Sequence, residues 1–258
     1  MDLTLDQVPL IALICLLAAL LQGAIGFGLA LLAIPLMVWA GVELPVAIAV
    51  VQIVAATQMG WGCWAYRRHI DWKPAVGVNL CRLLTLPLGV LTLVYLVASG
   101  PGPVKLVVGV MLLLAVAVRV LVRVKPRAKV RWWWAALAGT VSGYVSGLVA
   151  MSGPPVVLWV TAHQWSTQKM RAMIWICLLP TKPVAVVLLI SQFGMPVVWG
   201  TLLGVALVPV TLLGGMSGMR LGGRMSAEHL RAVALIVLVI IALVSIIEPA
   251  MAMWGMGE

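Results

Sequence analysis

Apolar runs follow one another along almost the whole chain and leave no stretch polar enough to build a soluble domain. Separated by polar or Pro/Gly breaks, they cover residues 8–40, 44–64, 74–98, 103–124, 132–160, 170–190, 195–218 and 230–250. A bilayer core takes about 20 helical residues. Six runs fit one crossing, but 8–40 and 132–160 are too long, and each holds a Gly/Pro break. Composition agrees. Of the 258 residues, 64% are hydrophobic and 9% charged, against roughly half and a quarter in a soluble domain. The mean hydropathy is +1.16. The fold class that follows is an all-α polytopic membrane protein. The opening MDLTLDQVPL carries Asp2 and Asp6 where a signal peptide would carry Lys or Arg, so the first run reads as retained structure.

A net charge of +10 would suggest nucleic acid on a soluble protein. Here most cations stand at the ends of apolar runs, so they read as loop charge, and nucleic acid is not an expected partner. Cys15, Cys63, Cys81 and Cys177 lie in or beside apolar runs without CxxC spacing. His69, His163 and His229 lack zinc-like spacing. No metal or cofactor is therefore expected. The sequence has no GxxxxGK[ST] loop, so energy must come from an ion or substrate gradient. No buried nucleophile–base pair is suggested, and the chain does not read as an enzyme.

The two long runs are related. LLQGAIGFGLALLAIPLMVW aligns with TVSGYVSGLVAMSGPPVVLW. Gly23 matches Gly143, Pro35 matches Pro155 and Trp39 matches Trp159, each pair 120 apart (143 − 23, 155 − 35, 159 − 39). LPLG at Leu86–Gly89 parallels VPVT at Val208–Thr211. The chain thus divides into repeats at 1–124 and 132–258, joined by a basic linker at 125–131. Duplication with interrupted helices at matching positions points to a secondary transporter and to its binding site.

Cation placement then sets orientation. Arg67, Arg68 and Lys73 lie in one connection, and Lys125, Arg127, Lys129 and Arg131 in the linker. Lys169 and Arg171 mark another connection, and Arg220, Arg224 and Arg231 a fourth. The connections at 40–44, 99–102 and 191–196 hold no cation. If each long run crosses once, the second half violates the positive-inside rule. If each long run turns at its break and returns, every basic connection is cytoplasmic. The second arrangement is preferred. It makes the halves inverted-topology repeats, each a re-entrant or broken helical hairpin plus three transmembrane helices. Arms of roughly 12–17 residues, about 18–26 Å, would reach past the midplane.

Irregular backbone at membrane depth survives where it is buried in protein or lines a wet cavity. Turns near Ala24–Gly28 and Ser146–Gly153 would meet mid-membrane. Their freed N–H groups suit an anion, and Pro154 fits the first turn of a half-helix. A simple kink is the plainer account of one such break; two in register favour a site. Arg82 and Lys182 lie inside spans, and no Asp or Glu lies deep in any span. An anionic substrate would supply the missing counter-charge. Snorkelling explains Arg82 equally well but fits Lys182 less well. Gln22, Asn79 and Ser152 add hydrogen-bonding capacity at the same depth. Gln52, Gln58, Ser142, Ser146 and Thr181 do too, though each such group reads singly as interhelical glue.

QGAIGFGLALLAIPL and SGLVAMSGPPVVLW resemble the paired signature segments of the TauE/SafE (sulfite exporter, DUF81) family of membrane transporters. The resemblance spans the whole chain, and the GPP segment is its more specific part. The family pattern carries a further glycine before GP, where this chain has Ser152. The resemblance implies export of sulfite or an organosulfonate across the bacterial inner membrane. The expected substrate-binding set is Gln22, Gly23, Gly26, Gly28, Asn79, Arg82, Ser152, Gly153, Pro154 and Lys182. The expected partners are a small anion and the lipid bilayer, with a homodimer as an option. A membrane scaffold, or a transporter of another small anion, is the alternative.

Overall fold

The computed structural model describes residues 7–25, 28–121, 126–127 and 130–222. Among them the chain forms eleven α-helices and no strand: α1 (Val8–Ile25), α2 (Leu29–Trp39), α3 (Leu44–Ala65), α4 (Trp72–Ala98), α5 (Pro101–Leu121), α6 (Trp132–Val149), α7 (Gly153–Thr161), α8 (Thr167–Leu178), α9 (Thr181–Phe193), α10 (Met195–Ala206) and α11 (Val208–Gly222). Prolines open several of them. α3, α7 and α10 each carry one in the first two positions, where its missing N–H costs nothing. Ser166 caps α8 by accepting from the Lys169 N–H at 3.3 Å.

The protein is all-helical and multi-pass. Leu44–Ala65, Trp72–Ala98, Pro101–Val118 and Thr167–Phe193 are each long and apolar enough to cross a membrane. The pair α10–α11, bent by 53°, is long and apolar enough together to be a fifth, broken span or a re-entrant loop. The expected run at 230–250 lies outside the described residues, as do Arg224, Arg231 and most of the linker. Two runs read as plain crossings differ in detail. Residues 170–190 are divided at Leu179–Pro180 between α8 and α9, and 195–218 bends at Leu207 before Pro209. Proline at 180 and 209 removes backbone donors and disturbs the preceding turn.

The two long runs fold back on themselves. Gln7 Nε2 donates to the Ala40 carbonyl at 3.2 Å, so the start of α1 and the end of α2 lie together. Arg127 N–H donates to the Ala162 carbonyl at 2.8 Å, closing the α6–α7 run in the same way. The arms are less even than expected, at 18 and 11 residues in the first hairpin and 18 and 9 in the second. The turns come late because the backbone reverses at Gly28 (φ 112°) and Ala150 (φ 57°).

Each long arm packs against a helix of the other half, α1 on α11 and α6 on α4. Glycine makes both contacts close. A side chain at Gly143 would strike the Arg82 backbone, and one at Gly23 would strike the Gly215 backbone. Small residues at such seams let helix backbones approach in a membrane, where packing replaces the hydrophobic effect as the driving force.

Three of the basic connections lie together. Lys169 Nζ pairs with Asp71 Oδ2 at 3.0 Å, joining the α3–α4 and α7–α8 connections. The Arg127–Ala162 bond adds the linker to that group. His163 stacks on Trp165 with centroids 3.9 Å apart, and burial holds its imidazole below the usual value.

Candidate functional site

The backbone breaks come first. α1 ends at Ile25 and α2 begins at Leu29, with Gly28 at φ 112°. L-residues rarely adopt that conformation, and glycine adopts it without strain. α6 ends at Val149 and α7 begins at Gly153. Here Ala150 takes the left-handed turn, as the only non-glycine residue among those described with positive φ. Ser152 has φ −78°. A side chain is therefore unstrained at this position.

These two breaks line one cavity. Gly28 and Leu29 contribute from the first break, and Ser152 and Gly153 from the second. Gln22 and Lys182 complete its polar wall, while Ala55 and Met59 face it from α3. The N-termini of α2, α7 and α9 all fall at this level, since Lys182 is the second residue of α9. About 30 Å³ of the cavity admits water-sized occupants. One water needs roughly 10–15 Å³, so this space holds about two waters.

The two cations do different things. Lys182 is 3% exposed, lines the cavity, and pairs with no carboxylate among the described residues. Arg82 is 0% exposed and does not line it. Snorkelling is thereby set aside for Arg82. Its guanidinium donates to Ser142 Oγ and, at 2.7 Å, to Thr181 Oγ1. Ser142 in turn donates to the Ser152 carbonyl at 2.6 Å, and Thr181 to the Leu178 carbonyl at 3.0 Å. Arg82 thus braces the second break and the start of α9 from behind, through α6.

The first hairpin has a neutral version of this brace. Gln22 donates to Gln58 Oε1 at 2.9 Å, and Gln58 donates to the Thr211 carbonyl at 2.8 Å. Gln22 and Ser142 are 120 apart (142 − 22), the spacing of the repeat. Gln22 also lines a neighbouring cavity with Gln58, Trp61, Trp175 and Met219.

The structure therefore gathers Gln22, Gly28, Ser152, Gly153 and Lys182 around one space. Arg82 lies one layer behind it. Asn79 lies elsewhere and ties α4 to the Ile176 carbonyl at 3.0 Å. Gly23 packs on α11 and borders only the neighbouring cavity. Pro154 shapes the first turn of α7 without lining the site. Gly26 lies outside the described residues. The expected set omitted Gln58; its place in the repeat gave no signal, because its partner Thr211 comes from the far end of the chain. Among the described residues no three His, Cys, Asp or Glu side chains gather as metal ligands would.

A family model described as Sulfite exporter TauE/SafE matches residues 11–245. No curated protein and no solved structure matches the chain.

Proposed function

We propose, from the premise that this chain belongs to the sulfite exporter TauE/SafE family, that it is a secondary transporter carrying sulfite or an organosulfonate out of the cell across the inner membrane. As a member of that family it is a membrane transporter and not an enzyme. The observation that carries the finer reading is the cavity in which both helix breaks meet Lys182. Half-helix N-termini present unpaired N–H groups and positive partial charge. Lys182 adds a cationic group that pairs with no carboxylate among the described residues, and a bound anion supplies the missing partner.

Alternating access follows from the walls of the site. The Gln22–Gln58 bond separates the Lys182 cavity from the one beside Trp61 and Met219, near the basic ends of α3 and α11. Parting that bond opens a route to the cytoplasmic face. The glycine seam between α1 and α11 lets the first hairpin shift, while Arg82 fixes the second. In this reading the repeats 1–124 and 132–258 are inverted copies, and the linker 125–131 is cytoplasmic. Two closures support it: Gln7–Ala40 beside a cation-free connection and Arg127–Ala162 among basic ones.

Purified protein in liposomes should accumulate ³⁵S-sulfite or a labelled sulfonate down an imposed gradient. A sealed vesicle that takes up neither would turn the reading toward a scaffold or another anion. Thiols introduced by Glu43→Cys and His163→Cys should react with an impermeant reagent from opposite sides of the membrane. Reaction from one side would refute the inverted arrangement.

A further inference from the structure

Most buried polar side chains here have at least one partner. Gln22 meets Gln58, Ser142 meets the Ser152 carbonyl, and Asn79 meets the Ile176 carbonyl. Gln52 is different. It is 0% exposed, and neither Oε1 nor Nε2 has a hydrogen-bond partner. Among the described residues it is the one side-chain amide with both polar atoms unmet. Interhelical glue would make at least one bond. A carboxamide shut away with none is destabilising, and natural chains keep such groups where something outside the chain meets them.

Its position says what that something is. On α3, Gln52, Ala55 and Met59 share a helical face, three and seven residues apart. Ala55 and Met59 line the Lys182 cavity. Val46, Val50 and Ile53 point the other way, against Gly200 and Gly204 of α10. Gln52 lies one turn beyond Ala55 toward Leu44, the end of α3 beside the Gln7–Ala40 closure. Gln58, between Ala55 and Met59 in sequence, instead borders the neighbouring cavity with Trp61 and Met219. Along α3 the order is Gln52, then Ala55 and Met59 at the Lys182 cavity, then Trp61 at the neighbouring one.

We propose that Gln52 belongs to the outward limb of the substrate path, where its amide meets the transported anion or its accompanying water once the site opens away from Gln58. This rests on the transporter reading above. In this conformation the amide is unmet; in an outward-open one it is solvated. A neutral amide offers both donor and acceptor, so it can pass a hydrated anion without trapping it.

The test uses the full chain in right-side-out and inside-out vesicles. The thiol introduced by Gln52→Cys should be modified by 2-sulfonatoethyl methanethiosulfonate, a small impermeant anion, applied on the Glu43 side. Val50→Cys, facing α10, should stay unmodified. Modification is read by mass spectrometry, so it does not depend on which anion is carried. Gln52→Leu, which removes the unmet amide, should raise Tm by a few degrees and lower ³⁵S-sulfite uptake severalfold. No modification, or modification from the basic side alone, would overturn the proposal. So would wild-type uptake by Gln52→Leu. Uptake retained in Lys182→Met would instead overturn the anion site while leaving the labelling result to decide Gln52.

Discussion

Lys182→Met should abolish most anion uptake and leave the protein at least as heat-stable as the native chain. The ammonium lines the cavity between the breaks, is 3% exposed and pairs with no carboxylate among the described residues. An unpaired charge at membrane depth lowers stability. Methionine keeps the length and removes that cost, so Tm should hold or rise. The substrate loses a charge-assisted contact, about 1.5–3 kcal/mol. At roughly 1.4 kcal/mol per tenfold, half-saturation should rise about 10- to 100-fold. Liposome uptake across a concentration series checks the first effect, and thermal unfolding in detergent the second. A large drop in Tm would make Lys182 a structural residue instead.

Arg82→Ala should behave in the opposite way and melt the protein early. Arg82 is sealed off from the cavity, and its guanidinium reaches Ser142 on α6 and Thr181 on α9. Those hydroxyls hold the carbonyl of Ser152 at the second break and that of Leu178 at the junction of α8 and α9. Two charge-assisted bonds at about 1.5–3 kcal/mol each are lost. In a chain of this size each kcal/mol shifts Tm by about 2–4 °C, so Tm should fall by about 10 °C. Arg82→Lys should recover little of this, because a single ammonium cannot span both hydroxyls as the fork does. A variant that unfolds like the native protein would refute the bracing role.

The contrast between these cations was not legible in the sequence. Both read as charges inside spans without counter-ions. Depth along a helix separates them poorly; what separates them is which helix each one faces. That depends on α6 lying against α4, a contact between halves of the chain. The breaks themselves were legible, since Gly28 and the GPP element carry the backbone requirement in their own residue types. Ala150 was not, because alanine in a left-handed turn is held there by its surroundings. The glue reading suited Gln58, Ser142 and Thr181 but not Gln52, and only the packed structure tells a bonded amide from an unmet one. Proline signalled the break at Leu179–Pro180 yet read as part of one crossing, because the apolar run continues through it.

In the proposed transporter an anion sits between the two breaks against Lys182. Equilibrium binding of ³⁵S-sulfite to detergent-solubilised protein tests it without transport or vesicle sealing. The native chain should bind saturably and Lys182→Met at least tenfold more weakly, with both proteins folded. Equal binding by the two would contradict it.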